Sequence, residues 1–271
     1  MVLSQNSRAA LVVAHPSHEL RIHSWLEQTR PLVCILTDGA GRSGEPRLHR
    51  TSEVLFRTGA TPGPIYGRLT DLEVYAAILN QDSKLFAGLV EELAQMFVDE
   101  QIECVAGDAA EGYSVTHDIC RVIIDAAVEI AQTRYGHAVA NFDFPVVGSP
   151  DDCEVELRHK AIRLELDDLA FTRKVNAALS YSPKLAHDVE TALIEGVPLD
   201  AFRLECLRPL DNALATRWTS DEPFFYELHG EKLVAAGLYK HVIRYRKHML
   251  PLAAAIQASL EREEHCVRSA S

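Results

Sequence analysis

The 271-residue sequence predicts an α/β protein in which a parallel sheet is flanked by helices. Three observations predict it: an apolar run that closes on a His-Pro loop, a second that closes on a Gly-rich turn, and helical periodicity around a third. Ala9 to Ala14 form a continuous apolar run, the mark of a strand buried on both faces. The run breaks at His15-Pro16-Ser17-His18-Glu19, and Leu20 to Arg30 supply a short helix. Leu32 to Thr37 make the second strand, which stops at the turn-rich stretch from Asp38 to Gly44.

Ser83 to Glu100 read as an amphipathic helix, with Leu85, Leu89, Leu93 and Phe97 recurring every fourth residue. Ile102 to Gly107 give a third strand and Asp108 to Thr116 a polar loop. Asp118 to Arg134 form a long helix with Ile119, Val122, Ile123, Ala126 and Ile130 on one side, and Ala138 to Val147 a further strand. Strand, loop and helix in this alternation point to crossover connections and a parallel sheet.

The texture changes after Pro150. Glu154 to Leu179 and His187 to Glu195 are charged and helix-favouring, and Tyr239 to Arg262 read as a closing helix interrupted near Pro251. The cluster Gly148-Ser149-Pro150-Asp151-Asp152 is the best internal boundary. The expected organisation is a core over 1–150 and a mostly helical C-terminal extension over 151–271 packed on it.

Composition narrows the function classes. A hydrophobic share of 47% suits a globular chain, and a formal net charge of -12 argues against nucleic acid or an anionic membrane as partner. No apolar run is long enough to span a bilayer, and the polar N-terminus from Met1 to Arg8 does not read as a signal peptide. Cys34, Cys104, Cys120, Cys153, Cys206 and Cys266 are scattered without a C-x-x-C pair, so buried reduced thiols and a cytoplasmic location are expected. A small-molecule substrate is expected, and a homo-oligomer is compatible with the sequence.

The chemistry gathers at strand ends, where open parallel sheets bind ligands. His15 and His18 share a tight proline-containing loop, and His117 begins a helix after the third strand and its polar loop. Such a trio suits zinc or another divalent first-row metal, a Lewis acid for hydrolysis of an amide or ester. The other nine histidines, His23, His49 and His137 among them, read as solvated.

Ala14-His15-Pro16-Ser17-His18-Glu19 resembles the A-H-P-D-D-E signature of the PIG-L/LmbE-like de-N-acetylases. Leu36-Thr37-Asp38-Gly39 is similar to that family's T-[ND]-G turn, Arg50-x-x-Glu53 to its R-x-x-E helix, and Ser114-Val115-Thr116-His117 to its H-P-D-H segment. The resemblance covers roughly the first half of the chain. It implies a Rossmann-like sheet and a zinc hydrolase that deacetylates an N-acylated amino sugar or a related small molecule. It also implies that His15 and His117 are metal ligands and that His18 replaces a ligand aspartate.

Two departures matter. Ser17 stands where the family has its general-base aspartate, and Ser114 where it has a histidine that polarises the substrate carbonyl. A serine hydroxyl is no base at neutral pH. Asp108 and Glu111 are therefore the candidate replacement bases. Asp38, Arg50 and Asp118 join Ser17 and Ser114 as candidates for orienting a ligand or touching substrate. Two other readings stay open: a metal enzyme with a different reaction, and a relative that kept the pocket as a binding protein.

Weaker signals complete the survey. The stretch from Gly39 to Gly44 lacks the G-K-[ST] ending of a phosphate loop, and neither Ser17 nor Ser43 sits in a G-x-S-x-G elbow. Arg42, Arg47, Arg50 and Arg57 offer charge for an anionic group. The aromatic run Phe224-Phe225-Tyr226, with Tyr239, Lys240, His241 and Arg244, offers a substrate wall from the C-terminal segment. Specificity is expected in the loop from Gly39 to Asp71 and in the C-terminal third.

Overall fold

The computed structural model describes residues 7–41, 44–181, 199–210 and 223–270, with side chains as far as residue 261. Arg42, Ser43, the stretch from His187 to Glu195 and the side chain of Cys266 lie outside the described residues.

Five strands run parallel: β1 (Ala9–Val13), β2 (Leu32–Thr37), β3 (Thr61–Leu69), β4 (Cys104–Asp108) and β5 (Ala140–Phe144). Two more, β6 (Ile162–Glu165) and β7 (Leu204–Pro209), extend the sheet antiparallel to the order β3-β2-β1-β4-β5-β7-β6. This is the Rossmann-like α/β architecture. β1 has β2 on one side and β4 on the other, so the order reverses there and a crevice opens beyond their carboxyl ends.

Strand alternation feeds two cores. Ala10, Val12, Cys34 and Leu36 face one side, beneath α3 (Asp71–Leu79), α4 (Ser83–Asp99) and α5 (Val115–Tyr135). Leu11, Val13, Val33 and Ile35 face the other, against Trp25 and Leu26 of α1 (His23–Thr29) and Leu55 of α2 (Leu48–Thr58). The expected apolar faces hold, because Leu89, Leu93 and Phe97 of α4 and Ile119, Val122, Ile123, Ala126 and Ile130 of α5 all enter the first core. Each of these Leu, Ile, Val and Phe side chains contributes about 1.5–3 kcal/mol on burial.

The second half differs from expectation. The stretch from Glu154 to Leu179 holds strand β6 before α6 (Asp168–Tyr181), and β7 carries a buried carboxylate. Glu205 accepts the backbone N–H groups of Ser24 and Trp25 at 2.9 Å each, at the start of α1. Lys174 Nζ of α6 pairs with the same Glu205 at 2.9 Å, tying α1, α6 and β7 together. The segment from Gly39 to Asp71 is likewise not one loop, since it folds α2 and β3. β3 escapes a sequence reading because Pro62 and Pro64 sit in it, which an edge strand tolerates.

The remaining helices are α7 (Phe225–Ala235) and α8 (Leu250–Ala270), the latter preceded by a wide π-type turn at Tyr245–Met249. Pro251 follows this turn without a break, just after the Leu250 N–H that donates to Tyr245 O, so the residue lacking an N–H stands where the π turn gives way to α8. The five cysteines with described side chains are free and buried. His23, the first residue of α1, and His248 correct the expectation of solvated histidines, being 4% and 9% exposed. Among the described residues no helix is long and apolar enough to cross a membrane.

Candidate metal centre

The strand ends bring His15, His18 and His117 together. Their ring centroids lie 5.3 Å (His15–His18), 5.2 Å (His15–His117) and 4.7 Å (His18–His117) apart, edge to face. His15 and His18 leave β1 on a loop in which Ser17 takes a φ of 94°, a conformation rarely adopted by residues other than glycine. That strain is held by Glu19, fully buried, which accepts the Ser17 N–H at 2.8 Å and the Thr51 hydroxyl at 2.8 Å. His117 projects from the first turn of α5, whose start is capped by Ser114 accepting the Thr116 N–H.

Two carboxylates orient two of the rings. Nδ1 of His18 is 2.9 Å from Oδ2 of Asp108, at the end of β4. Nδ1 of His15 is 2.9 Å from Oδ1 of Asp71, at the start of α3, and 2.8 Å from the Thr37 hydroxyl. An ionised carboxylate only accepts, so each Nδ1 carries the proton and each lone pair falls on Nε2. Asp71, which sequence reasoning does not single out, is brought to His15 by the fold. Its local signal, the Thr70–Glu73 capping box, marks a helix start and carries no hint of His15.

Electrostatics follow burial. Desolvation lowers the pKa of His15 and carries that of His117 well below the usual imidazole value. Burial by itself raises Asp71. Its bond to His15, the His15 charge, the Gly41 N–H and the Thr37 hydroxyl outweigh that and hold it at about 2. Asp108 is lowered in the same way, burial being overcome by the charge and hydrogen bond of His18, by His117 and by the Ala14 N–H.

The remaining sequence candidates take structural partners. Asp108 turns both oxygens to His18, and its Oδ2 also accepts the Ala14 N–H at 2.7 Å. Glu111 accepts the N–H groups of Val146 and Val147. Asp38 accepts the Ala40 N–H at 2.9 Å, forming a turn. Arg50 lies half-exposed on α2, 4.0 Å from Glu53. Asp118 accepts the Gly112 N–H at 3.2 Å, while its buried Oδ2 has no partner.

The T-D-G turn is built to meet the histidine loop. Gly39 has a φ of 69°, and a Cβ there would lie 2.7 Å from Cδ of Pro16. Any other residue would push the two loops apart.

The donor set fits a divalent metal in kind. It offers three imidazoles, two with Nδ1 engaged by carboxylates, and a third whose buried Nδ1 has no partner. In spacing it is not drawn tight, as no three His, Cys, Asp or Glu side chains among the described residues are gathered to hold an ion. A cleft of about 410 Å³ opens beside His15, lined also by Arg47, Asp71, Tyr113, Phe225, His229 and Tyr239.

No family model and no curated protein matches the chain. Among solved structures, the A40926 pseudoaglycone deacetylase Dbv21 aligns at 17% identity with a TM-score of 0.49, over 75% of this chain and 97% of its own. A conserved protein from Thermus thermophilus aligns at 16% and 0.49, over 79% and 99%. The zinc-inhibited form of the teicoplanin deacetylase Orf2 aligns at 13% and 0.44, over 75% and 97%. At 13–17% identity and TM-scores below 0.5, these likenesses carry no family, activity or substrate over to this chain.

Proposed function

We propose that the chain is a metal-dependent hydrolase of the de-N-acetylase type, acting on an N-acylated amino sugar or a related small molecule. The observation that carries this is the meeting of three imidazoles beyond the strand ends, two of them fixed by carboxylates through Nδ1. His15, His18 and His117 would hold a divalent ion, zinc in the first instance. That ion supplies Lewis-acid activation for attack on an amide carbonyl.

The protein's own groups have separable duties. Asp71 and Asp108 hold the His15 and His18 rings in one tautomer. Arg47 and the backbone of Gly41 line the polar side of the cleft, where substrate hydroxyls bind. Asp108 and Glu111, the candidate bases, are both engaged by neighbouring groups, Asp108 by His18 and the Ala14 N–H and Glu111 by the N–H groups of Val146 and Val147.

Metal analysis of purified protein tests the assignment, together with acetate release from N-acetylglucosamine derivatives. One zinc per chain is expected, falling to trace in His15→Ala, His18→Ala and His117→Ala, with acetate release lost in each. Stoichiometric zinc persisting in His15→Ala would overturn it. The uncollected donor spacing favours a second reading, a pocket retained for binding without hydrolysis. Absence of metal, with a Tm indifferent to chelator, would establish that instead.

A further inference from the structure

The turn that carries His15 and His18 is held by residues far along the chain. The His18 N–H donates to His15 O at 3.4 Å, so only Pro16 and Ser17 separate the two histidines. Ser17 takes its φ of 94° between them. Rotation about its N–Cα bond toward the usual negative φ would turn the His18 ring away from Asp108 and from His15.

Three side chains oppose that rotation. Oε2 of Glu19 accepts the Ser17 N–H at 2.8 Å, and Oε1 accepts the Thr51 hydroxyl at 2.8 Å. Thr51 spends its one proton on Glu19, so the Tyr181 hydroxyl, 2.7 Å from Thr51 Oγ1, is the donor there. A single line of hydrogen bonds thus runs from α6 through α2 to the backbone of Ser17. Glu19 and Thr51 are fully buried and Tyr181 is 2% exposed, so water does not compete for these bonds. Lys174, also on α6, donates to Arg21 O at 2.6 Å, in the short helical turn His18–Ile22 that follows the loop. Leu20 of that turn packs with Val54 of α2 and with Ala177 and Tyr181 of α6. Glu19, Thr51 and Tyr181 do not line the cleft, so whatever they do for the site they do through the loop.

We propose that Glu19 is a positioning residue of the metal centre, fixing the left-handed backbone at Ser17 and through it the bearing of the His15 and His18 rings. Thr51 and Tyr181 act behind it by holding its carboxylate, so α6 in the second half of the chain supports the centre in the first. The consequence for metal rests on the metal-dependent reading above; the placing of the rings does not. Glycine adopts the same backbone at no steric cost and needs no such restraint. A Glu19 that merely filled the core would affect stability alone, and a glycine at position 17 would not compensate for its loss.

Two readouts on the full chain test it: nitrogen NMR spectra of the imidazole rings in metal-free protein, and zinc affinity by chelator competition. Thermal melts show that each variant folds. Glu19→Met keeps the length of the side chain and removes both acceptors. It is expected to shift the His15 and His18 ring signals and to weaken zinc binding about tenfold. Adding Ser17→Gly is expected to return the ring signals to their parent positions and zinc affinity to within about threefold of the parent. Tyr181→Phe cuts only the far end of the line and is expected to move both readouts the same way by less, about threefold in affinity. If Glu19→Met does not fold, Tyr181→Phe with and without Ser17→Gly carries the same test. Ring signals that do not move, or that Ser17→Gly fails to restore, would overturn the proposal. Rings that move and return in a parent binding no zinc sink the metal reading and leave the positioning role. A parent that binds zinc with rings indifferent to Glu19→Met does the reverse.

Discussion

Oδ2 of Asp108 accepts from two directions at once, from Nδ1 of His18 at 2.9 Å and from the backbone N–H of Ala14 at 2.7 Å. One buried carboxylate at the end of β4 thus fixes both the exit of β1 and the ring that β1 delivers. The centre is a property of neighbouring strands, not of a single loop.

Asp108→Asn follows directly. With the amide oxygen kept at the Oδ2 position, the NH2 group stands where Oδ1 faced the His18 Nδ1–H at 3.0 Å, and the negative charge that holds that proton is gone. Zinc affinity is expected to fall about 10–100-fold with the fold intact. Chelator competition and circular dichroism check this, and unchanged affinity would show that the carboxylate does not orient a ligand.

Glu111→Gln separates the sequence candidates from one another. Its carboxylate serves the N–H groups of Val146 and Val147, so the variant is expected to lose some thermal stability. Turnover should stay within about threefold of the parent, because no reacting group is touched. A loss of turnover as large as that of His117→Ala would return Glu111 to the role of base.

The Glu205–Lys174 pair predicts a stability effect far from the cleft. Glu205→Ala strands a buried ammonium and leaves two α1 N–H groups without an acceptor. A cost of about 3–5 kcal/mol is expected. The double variant Glu205→Leu with Lys174→Met should recover part of it, which denaturant melts of all three proteins would reveal.

Asp118 predicts a pH dependence. Burial raises its pKa to about 7, against which the Gly112 and Glu111 backbone contacts lower it and the Glu111 charge adds a further rise. The folded state therefore holds the proton more tightly than the unfolded chain does. This favourable term is complete below the unfolded value near 3.8 and is lost as pH rises toward about 7. Asp118→Asn keeps an acceptor for Gly112 and cannot ionise. Its stability relative to the parent should climb between pH 4 and pH 7 by a few kcal/mol at most, on the order of 1.4 kcal/mol per unit. A flat difference across that window would contradict the assignment.

Much of this was legible in local pattern. β1, β2 and β4 announce themselves as short apolar runs that end on polar loops, and α4 and α5 as stripes of period 3.6, because each must bury a face. His15, His18 and His117 were legible for the same reason, as polar residues placed where buried strands end. β3 was not, since its prolines carry the signature of a loop and it forms only because an edge strand has one pairing side free.

The motif order in the chain is enough to place three histidines at the mouth of a parallel sheet. Which carboxylate holds which ring is a matter of folding alone. Asp71 reaches His15 because β3 pairs with β2 and delivers α3 to the same edge, and no spacing in the sequence encodes that meeting. Asp108 looks like a free base in the sequence and is spent on His18 and Ala14 in the fold. Hydrogen bonds between strand ends satisfy buried charge through space, and the chain carries no local mark of a partner so distant along it.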